Sequence, residues 1–194
     1  MTFYIIFSII KEKKGSDNLI KWTEAYAQHK KYPIGMYGGK FIPFHIGHKY
    51  CLTVASVLCE HVYCILFYGG DQELEILKNK TTLNSKYLDL EWRKNEVKKI
   101  CAQYDNVTPI FIDVTALKDA NGKEDWDAET PLVLEACGKL NATFSSEPNY
   151  DEYFKRAYPW AEHVLVDPPR YVWPISATML RGMNEDEAKE WLCE

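Results

Sequence analysis

No apolar run in the 194 residues is long enough to cross a bilayer, which takes about 20 consecutive residues as a helix. The most apolar opening, Thr2 to Ile10, lacks both a basic leader and a small-residue cleavage site, so no secretory signal is expected. It reads instead as an edge strand or as a tail packed on a partner, a candidate homo-oligomer interface. The six cysteines (Cys51, Cys59, Cys64, Cys101, Cys137 and Cys193) form no C-x-x-C and no regular framework. They are expected as reduced, mostly buried thiols of a cytoplasmic protein. Basic residues are outnumbered, 23 Lys and Arg against 28 Asp and Glu for a net charge of −5, which argues against nucleic acid as a partner. Neither G-x-x-x-x-G-K-[ST] nor G-x-G-x-x-G occurs. A P-loop kinase and a dehydrogenase with the usual dinucleotide fingerprint are therefore disfavoured. There is no linker, low-complexity segment or internal repeat, and 22.6 kDa with 46% hydrophobic residues suffices for one domain with a sizeable core.

What the chain does contain is concentrated in Gly38-Gly39-Lys40-Phe41-Ile42-Pro43-Phe44-His45-Ile46-Gly47-His48. An apolar strand-like run, Ile34 to Tyr37, leads into two glycines that let an anion approach the main chain closely. A helix start follows, offering unpaired N–H groups and the positive end of its dipole. His45 and His48, at i and i+3, share one face of that first turn. Lys40 adds a positive charge on a flexible stem. Phosphate is the expected guest. His45, His48 and Cys51 could also form a metal face at helical spacing, but no distal partner has ligand spacing. His45-Ile46-Gly47-His48 further matches the signature of class I aminoacyl-tRNA synthetases, although no Lys-Met-Ser-Lys-Ser-type partner motif accompanies it.

A second segment, Pro174-Ile175-Ser176-Ala177-Thr178-Met179-Leu180-Arg181, follows a strand-like run and opens another helix. Ser176 or Thr178 can cap it, with Arg181 one turn in. Between the two segments, apolar runs alternate with helical periodicity. Strands are expected at 34–37, 62–67, 107–114, 142–145 and 163–166, and helices at 46–59, 85–104, 129–140 and 148–157. Residues 71–84 read as loop with a short helix, and Pro109 puts the third strand towards an edge. A strand apolar on both faces, such as Val62 to Phe67, belongs between two helix layers. The expected fold is a Rossmann-like α/β domain of about five parallel strands with helices on both faces. Residues 1–32, with an Asp17-capped helix carrying Leu19, Trp22 and Tyr26, read as an N-terminal extension to a domain at 33–194.

G-G-x-F-x-P-x-H-x-G-H near the start and I-S-x-T-x-x-R near the end together resemble the paired signature of the nucleotidyltransferase superfamily. Trp126-Asp127, Phe144-Ser145-Ser146-Glu147-Pro148-Asn149-Tyr150 and Val164-Leu165-Val166-Asp167-Pro168-Pro169-Arg170 resemble the nicotinamide mononucleotide adenylyltransferases of the NadR type. So does Gly35-Met36-Tyr37-Gly38-Gly39-Lys40-Phe41. The resemblance implies the reaction of ATP with nicotinamide mononucleotide to give NAD and pyrophosphate, with Mg²⁺. It implies neither the kinase activity nor the repressor role of some relatives.

On this resemblance the ATP site comprises Gly38, Gly39, Lys40, Phe41, His45, His48, Ser176, Thr178 and Arg181. His45 would meet the triphosphate and α-phosphate, His48 the α-phosphate in the transition state, Lys40 the phosphates of either substrate, and Arg181 the β- and γ-phosphates. The mononucleotide would meet Trp92, Arg93, Trp126, Asp127, Glu147 and Tyr150, with Trp173 a further aromatic face for a cationic pyridinium. Core packing is the competing reading for each indole, and a solvent-facing position that for Arg93. Within the superfamily, nicotinate mononucleotide, phosphopantetheine and cytidylyl transfer are the alternatives. A non-catalytic nucleotide sensor is the alternative from another class.

Overall fold

The computed structural model describes residues 30–79 and 81–193. The expected extension, with its Asp17-capped helix, lies outside the described residues except for its last three positions.

Five strands, β1 (Tyr32–Gly39), β2 (Cys59–Tyr68), β3 (Val107–Asp113), β4 (Ala142–Ser145) and β5 (Glu162–Leu165), pair in the order β3-β2-β1-β4-β5. Every pairing is parallel. Parallel neighbours need crossovers, and helices supply them: α1 (Ile46–Leu58), α2 (Asp71–Lys78), α3 (Leu90–Cys101), α4 (Glu129–Cys137) and α5 (Asp151–Ala157). Two short helices, α6 (Ala177–Arg181) and α7 (Glu185–Ala188), complete the described chain.

Alternation along the strands explains the two layers. Val62, Cys64 and Leu66 of β2 enter one core with Leu52 and Ala55 of α1 and Val97 and Ile100 of α3. Ile65, between them, enters the other with Met36, Val133 and Cys137. The strand is thus covered on both faces, as its unbroken apolar run requires. A third cluster (Ile42, Leu83, Tyr87, Leu88, Ile175, Leu180, Ala188, Leu192) packs the turn after β1 against α6 and α7. β3 lies at the sheet edge, where Pro109 placed it.

The helix expected over 85–104 is interrupted. A 3₁₀ turn, Ser85–Leu88, is followed by Asp89 in extended backbone, whose side chain accepts from Trp92 N at 2.9 Å and starts α3 afresh. The side chain of Asp89 caps a helix better than it sits inside one.

Chain order reverses between β1 and β4: β1 leads to β2 on one side and has β4 on the other. Open α/β sheets have their crevice outside the carboxyl ends of such strands. Gly38 to His48 and Ser145 to Tyr150 both emerge there.

Candidate active site

At that switch point lies a cavity of about 310 Å³. The end of β1, the start of α1, the turn after β4, the loop after β5 and the segment Ile175 to Arg181 all line it. The two motif-bearing segments, more than 120 residues apart in sequence, therefore line one cavity.

His45 is the N-cap of α1, and its Nδ1 accepts from Gly47 N at 3.1 Å. His45 N in turn donates to His48 Nδ1 at 3.3 Å, so the two side chains make a reciprocal capping box out of imidazoles. Their rings stack at 3.7 Å with 25° between planes. Phe41 and Phe44 meet the His48 ring edge-on at 5.1 and 5.3 Å and fix its plane. With both Nδ1 atoms accepting, a neutral ring carries its proton on Nε2. Burial, followed by the charge of Arg170, lowers the His45 pKa to about 4. Burial chiefly, then His45 and Arg170, brings His48 well below its usual value. The pair is neutral near pH 7. His45 Nε2 is a buried donor without a partner, in a residue 3% exposed that lines the cavity. An orphaned buried donor is costly unless a ligand accepts from it. Because both Nδ1 atoms are taken by the backbone and Cys51 Sγ faces Ser146 Oγ at 3.2 Å, the three do not form the metal face considered from spacing.

Gly47 keeps this arrangement open. A Cβ there would lie 3.0 Å from His45 Cε1 and 3.1 Å from its Nδ1.

The cationic groups differ in readiness. Arg181 donates to Ile42 O at 2.7 Å and to Thr178 Oγ1 at 2.9 Å, and has no carboxylate partner among the described residues. Ser176 caps α6, accepting from Met179 N. Lys40 is less free than its sequence position implied: its Nζ is 2.7 Å from Glu124 Oε1, both side chains being mostly buried. Arg170 is paired with Glu147 at the cavity rim.

A second cavity, about 110 Å³, adjoins the first through Gly38, Gly39, Lys40, Gln72, Ser145 and Tyr150, which line both. Its walls are Trp126, Tyr150, Tyr153, Phe154, Tyr158, Phe67, Met36 and one acid, Glu129. Trp126 meets Tyr150 and Tyr153 edge-on, each at 5.7 Å, and Tyr153 donates its hydroxyl to Trp126 O at 3.1 Å.

Three residues expected at the mononucleotide site line neither cavity. Arg93 is 1% exposed, paired with Glu73 and donating to Lys40 O at 2.8 Å. Glu73 also accepts from Gly69 N, so this pair ties the end of β1 to the end of β2 from beneath. Trp92 packs edge-on to Tyr87 in the third core cluster. Asp127 is exposed and forks onto Arg156 at 2.8 to 3.2 Å. Glu147 and Trp173 line the first cavity and not the second. Glu124, Glu129 and Tyr153 escaped sequence reading. The only local signal was the run of acids and aromatics from Glu124 to Glu129, which gives no direction for any side chain.

Among solved structures, the chain is similar to a bifunctional NMN adenylyltransferase/ADP ribose pyrophosphatase from Francisella tularensis, at 20% identity and a TM-score of 0.55 over 84% of this chain and 45% of that one. It is also similar to the NadR protein in complex with NAD and AMP-PNP, at 20% identity and a TM-score of 0.58 over 82% of this chain and 44% of that one. The fold is a Rossmann-like nucleotidyltransferase fold. A further structure of the Francisella protein, complexed with AMP and Mn ion, matches this nucleotidyltransferase fold at 19% identity and a TM-score of 0.53 over 84% of this chain and 45% of that one. The chain spans less than half the length of these proteins. No protein-family model and no curated protein matches it. Among the described residues, no helix is long and apolar enough to cross a membrane.

Proposed function

We propose that this chain is an adenylyltransferase that joins ATP and nicotinamide mononucleotide into NAD, releasing pyrophosphate. The observation that carries the reading is the stacked, neutral His45–His48 pair, with the buried Nε2 donor of His45 left without a partner in a cavity that His48 and Arg181 also line. The structure of NadR in complex with NAD and AMP-PNP supports the choice of nucleotides.

A phosphate oxygen of the mononucleotide attacks the α-phosphorus of ATP, and the bond from that phosphorus to the bridging oxygen of pyrophosphate breaks. The attacking phosphate, with a second pKa of about 6, is largely ionised at pH 7 and needs no general base. The protein contributes in-line positioning and donors aimed at developing charge. In this reading His45 and His48 donate from Nε2 to α-phosphate oxygens. Arg181, braced by Ile42 O and Thr178, holds the β- and γ-phosphates with Ser176 beside it. Gly38, Gly39 and Phe41 give the triphosphate its backbone wall, and Lys40, common to both cavities, stands where the phosphates of the two substrates meet. The pyridinium ring enters the second cavity against Trp126 and Tyr150, whose faces attract a cation.

Mg²⁺ enters as part of the nucleotide substrate, on triphosphate oxygens and water, as is usual for this ion. Among the described residues, no group of three or more His, Cys, Asp and Glu side chains could hold a metal. The Francisella protein was crystallised with AMP and Mn ion, in keeping with a divalent ion travelling with the nucleotide.

The test is pyrophosphate release from ATP and Mg²⁺ with nicotinamide mononucleotide, nicotinate mononucleotide, phosphopantetheine or glycerol 3-phosphate as acceptor, and with CTP in place of ATP. Turnover with ATP and a pyridine mononucleotide is expected. Turnover only with another acceptor would reassign the second cavity, and ATP binding without turnover would indicate a sensor.

A further inference from the structure

We infer that Glu129 makes the second cavity selective for a nicotinamide ring over a nicotinate ring. The inference rests on the adenylyltransferase reading and names the substrate within it.

Glu129 begins α4 and is 7% exposed, yet its carboxylate makes no hydrogen bond and no ion pair among the described residues. Among the described residues it is the only acid lining a cavity otherwise walled largely by rings. Its side chain lines the cavity, and the partial loss of water around the carboxylate disfavours the charged form and pushes its pKa up to about 7. The charged groups that act on it are Lys40 at the end of β1 and Glu124 and Asp125 in the preceding loop, and Tyr153 and Tyr158 face it from α5 and its C-cap. Lys40, the one cation in that wall, already has Glu124 as its partner. Its charge is therefore largely balanced before any ligand arrives.

The two candidate rings differ at one substituent. An N-ribosyl nicotinamide ring is a cation with a carboxamide that can donate N–H to a carboxylate. The nicotinate ring carries a carboxylate at the same carbon, so its pyridinium charge is internally balanced. Ionised Glu129 attracts the first ring and repels the substituent of the second. Among the residues lining the cavity, no arginine offers the nicotinate group a fork. Juxtaposed like charges of this kind cost several kcal/mol, at least a tenfold preference.

The experiment is kcat/KM for the two mononucleotides at pH 8 with saturating ATP and Mg²⁺, in the wild type and in Glu129→Gln. The wild type should favour nicotinamide mononucleotide by about tenfold or more. Glu129→Gln should erase most of that preference through the mononucleotide KM, leaving the KM for ATP unmoved. A second measurement needs no variant: lowering the pH from 8 to 6 should shrink the wild-type preference as Glu129 protonates. The phosphate common to both substrates cancels in the ratio. A preference that survives both Glu129→Gln and acidification overturns the inference alone, as does a wild type that favours nicotinate. Absence of turnover with either mononucleotide overturns the adenylyltransferase reading and this inference with it.

Discussion

His45 and His48 stack 3.7 Å apart, and each has its Nδ1 occupied by a backbone N–H of the same helix turn. Local capping thus places the proton of each neutral ring on Nε2 and leaves His45 Nε2 a buried donor without a partner beside the cavity. Replacing His48 by Ala should lower kcat by about 10²- to 10³-fold, the usual effect of losing one preorganised donor to transition-state charge. The helix cap is also weakened, by about 1 kcal/mol. Steady-state kinetics beside a melting curve separates the two, and near-normal turnover in a folded variant would refute the assignment.

Gly47→Ala tests the same geometry without touching an imidazole. The new Cβ, 3.0 Å from His45 Cε1, must push the ring from its stacked position. The ring must give by a few tenths of an ångström, less than the shift of about 1 Å that can cost 10²-fold, so kcat should fall by less than that while Ala, a good helix former, leaves the melting temperature close to that of the wild type. An unchanged kcat would mean that the ring position is not critical.

Arg93 lies at a different place in the account from the one its sequence suggested. As a buried partner of Glu73, it should matter for stability and leave substrate affinity alone. Arg93→Ala strands a buried carboxylate, costing about 3–5 kcal/mol, and should lower the melting temperature by about 10 °C at 2–4 °C per kcal/mol. The double variant Arg93→Leu with Glu73→Leu should recover part of that loss. A stable Arg93→Ala with a raised KM for the mononucleotide would restore the phosphate-binding role.

The pH dependence of stability carries opposing signs from the two histidines and Glu129. His45, at about 4 when folded and 6.5 when free, binds fewer protons folded than unfolded, so its contribution is lost as pH falls from 6.5 towards 4. Glu129, at about 7 when folded and 4.5 when free, binds more protons folded, so its contribution is lost as pH rises from 4.5 to 7. His48, also lowered, has the sign of His45, so between pH 4.5 and 6.5 Glu129 opposes both histidines. Glu129→Gln removes the falling component, and its stability relative to the wild type should increase steadily from pH 4.5 to 7. Urea melts across that range check it; a difference independent of pH would contradict the burial of an unpaired acid.

Much of the fold was legible because its signals are local and repeated. Val62 to Phe67 is apolar at every position, which only a strand covered on both faces explains. That Gly38 to His48 and Ile175 to Arg181 belong together was legible from their residue types and spacing, and both line one cavity. What escaped notice depended on which way a side chain turns in three dimensions. Arg93 and Trp92 are adjacent on one helix, yet one goes to a buried acid and the other to Tyr87. Nothing in the sequence around Glu124 says that it reaches Lys40, 84 residues away. Glu129 reads as an ordinary acid in the first turn of a helix, where acids are favoured. Only the closing of aromatic rings around it reveals a different environment.

Adenylyl transfer and other fates of ATP are told apart by following the phosphorus. ATP labelled at the α-phosphate, and separately at the γ-phosphate, would be incubated with the protein, Mg²⁺ and nicotinamide mononucleotide. Adenylyl transfer puts the α label in NAD and the γ label in pyrophosphate. A γ label on the mononucleotide, or no label in any dinucleotide, would contradict it.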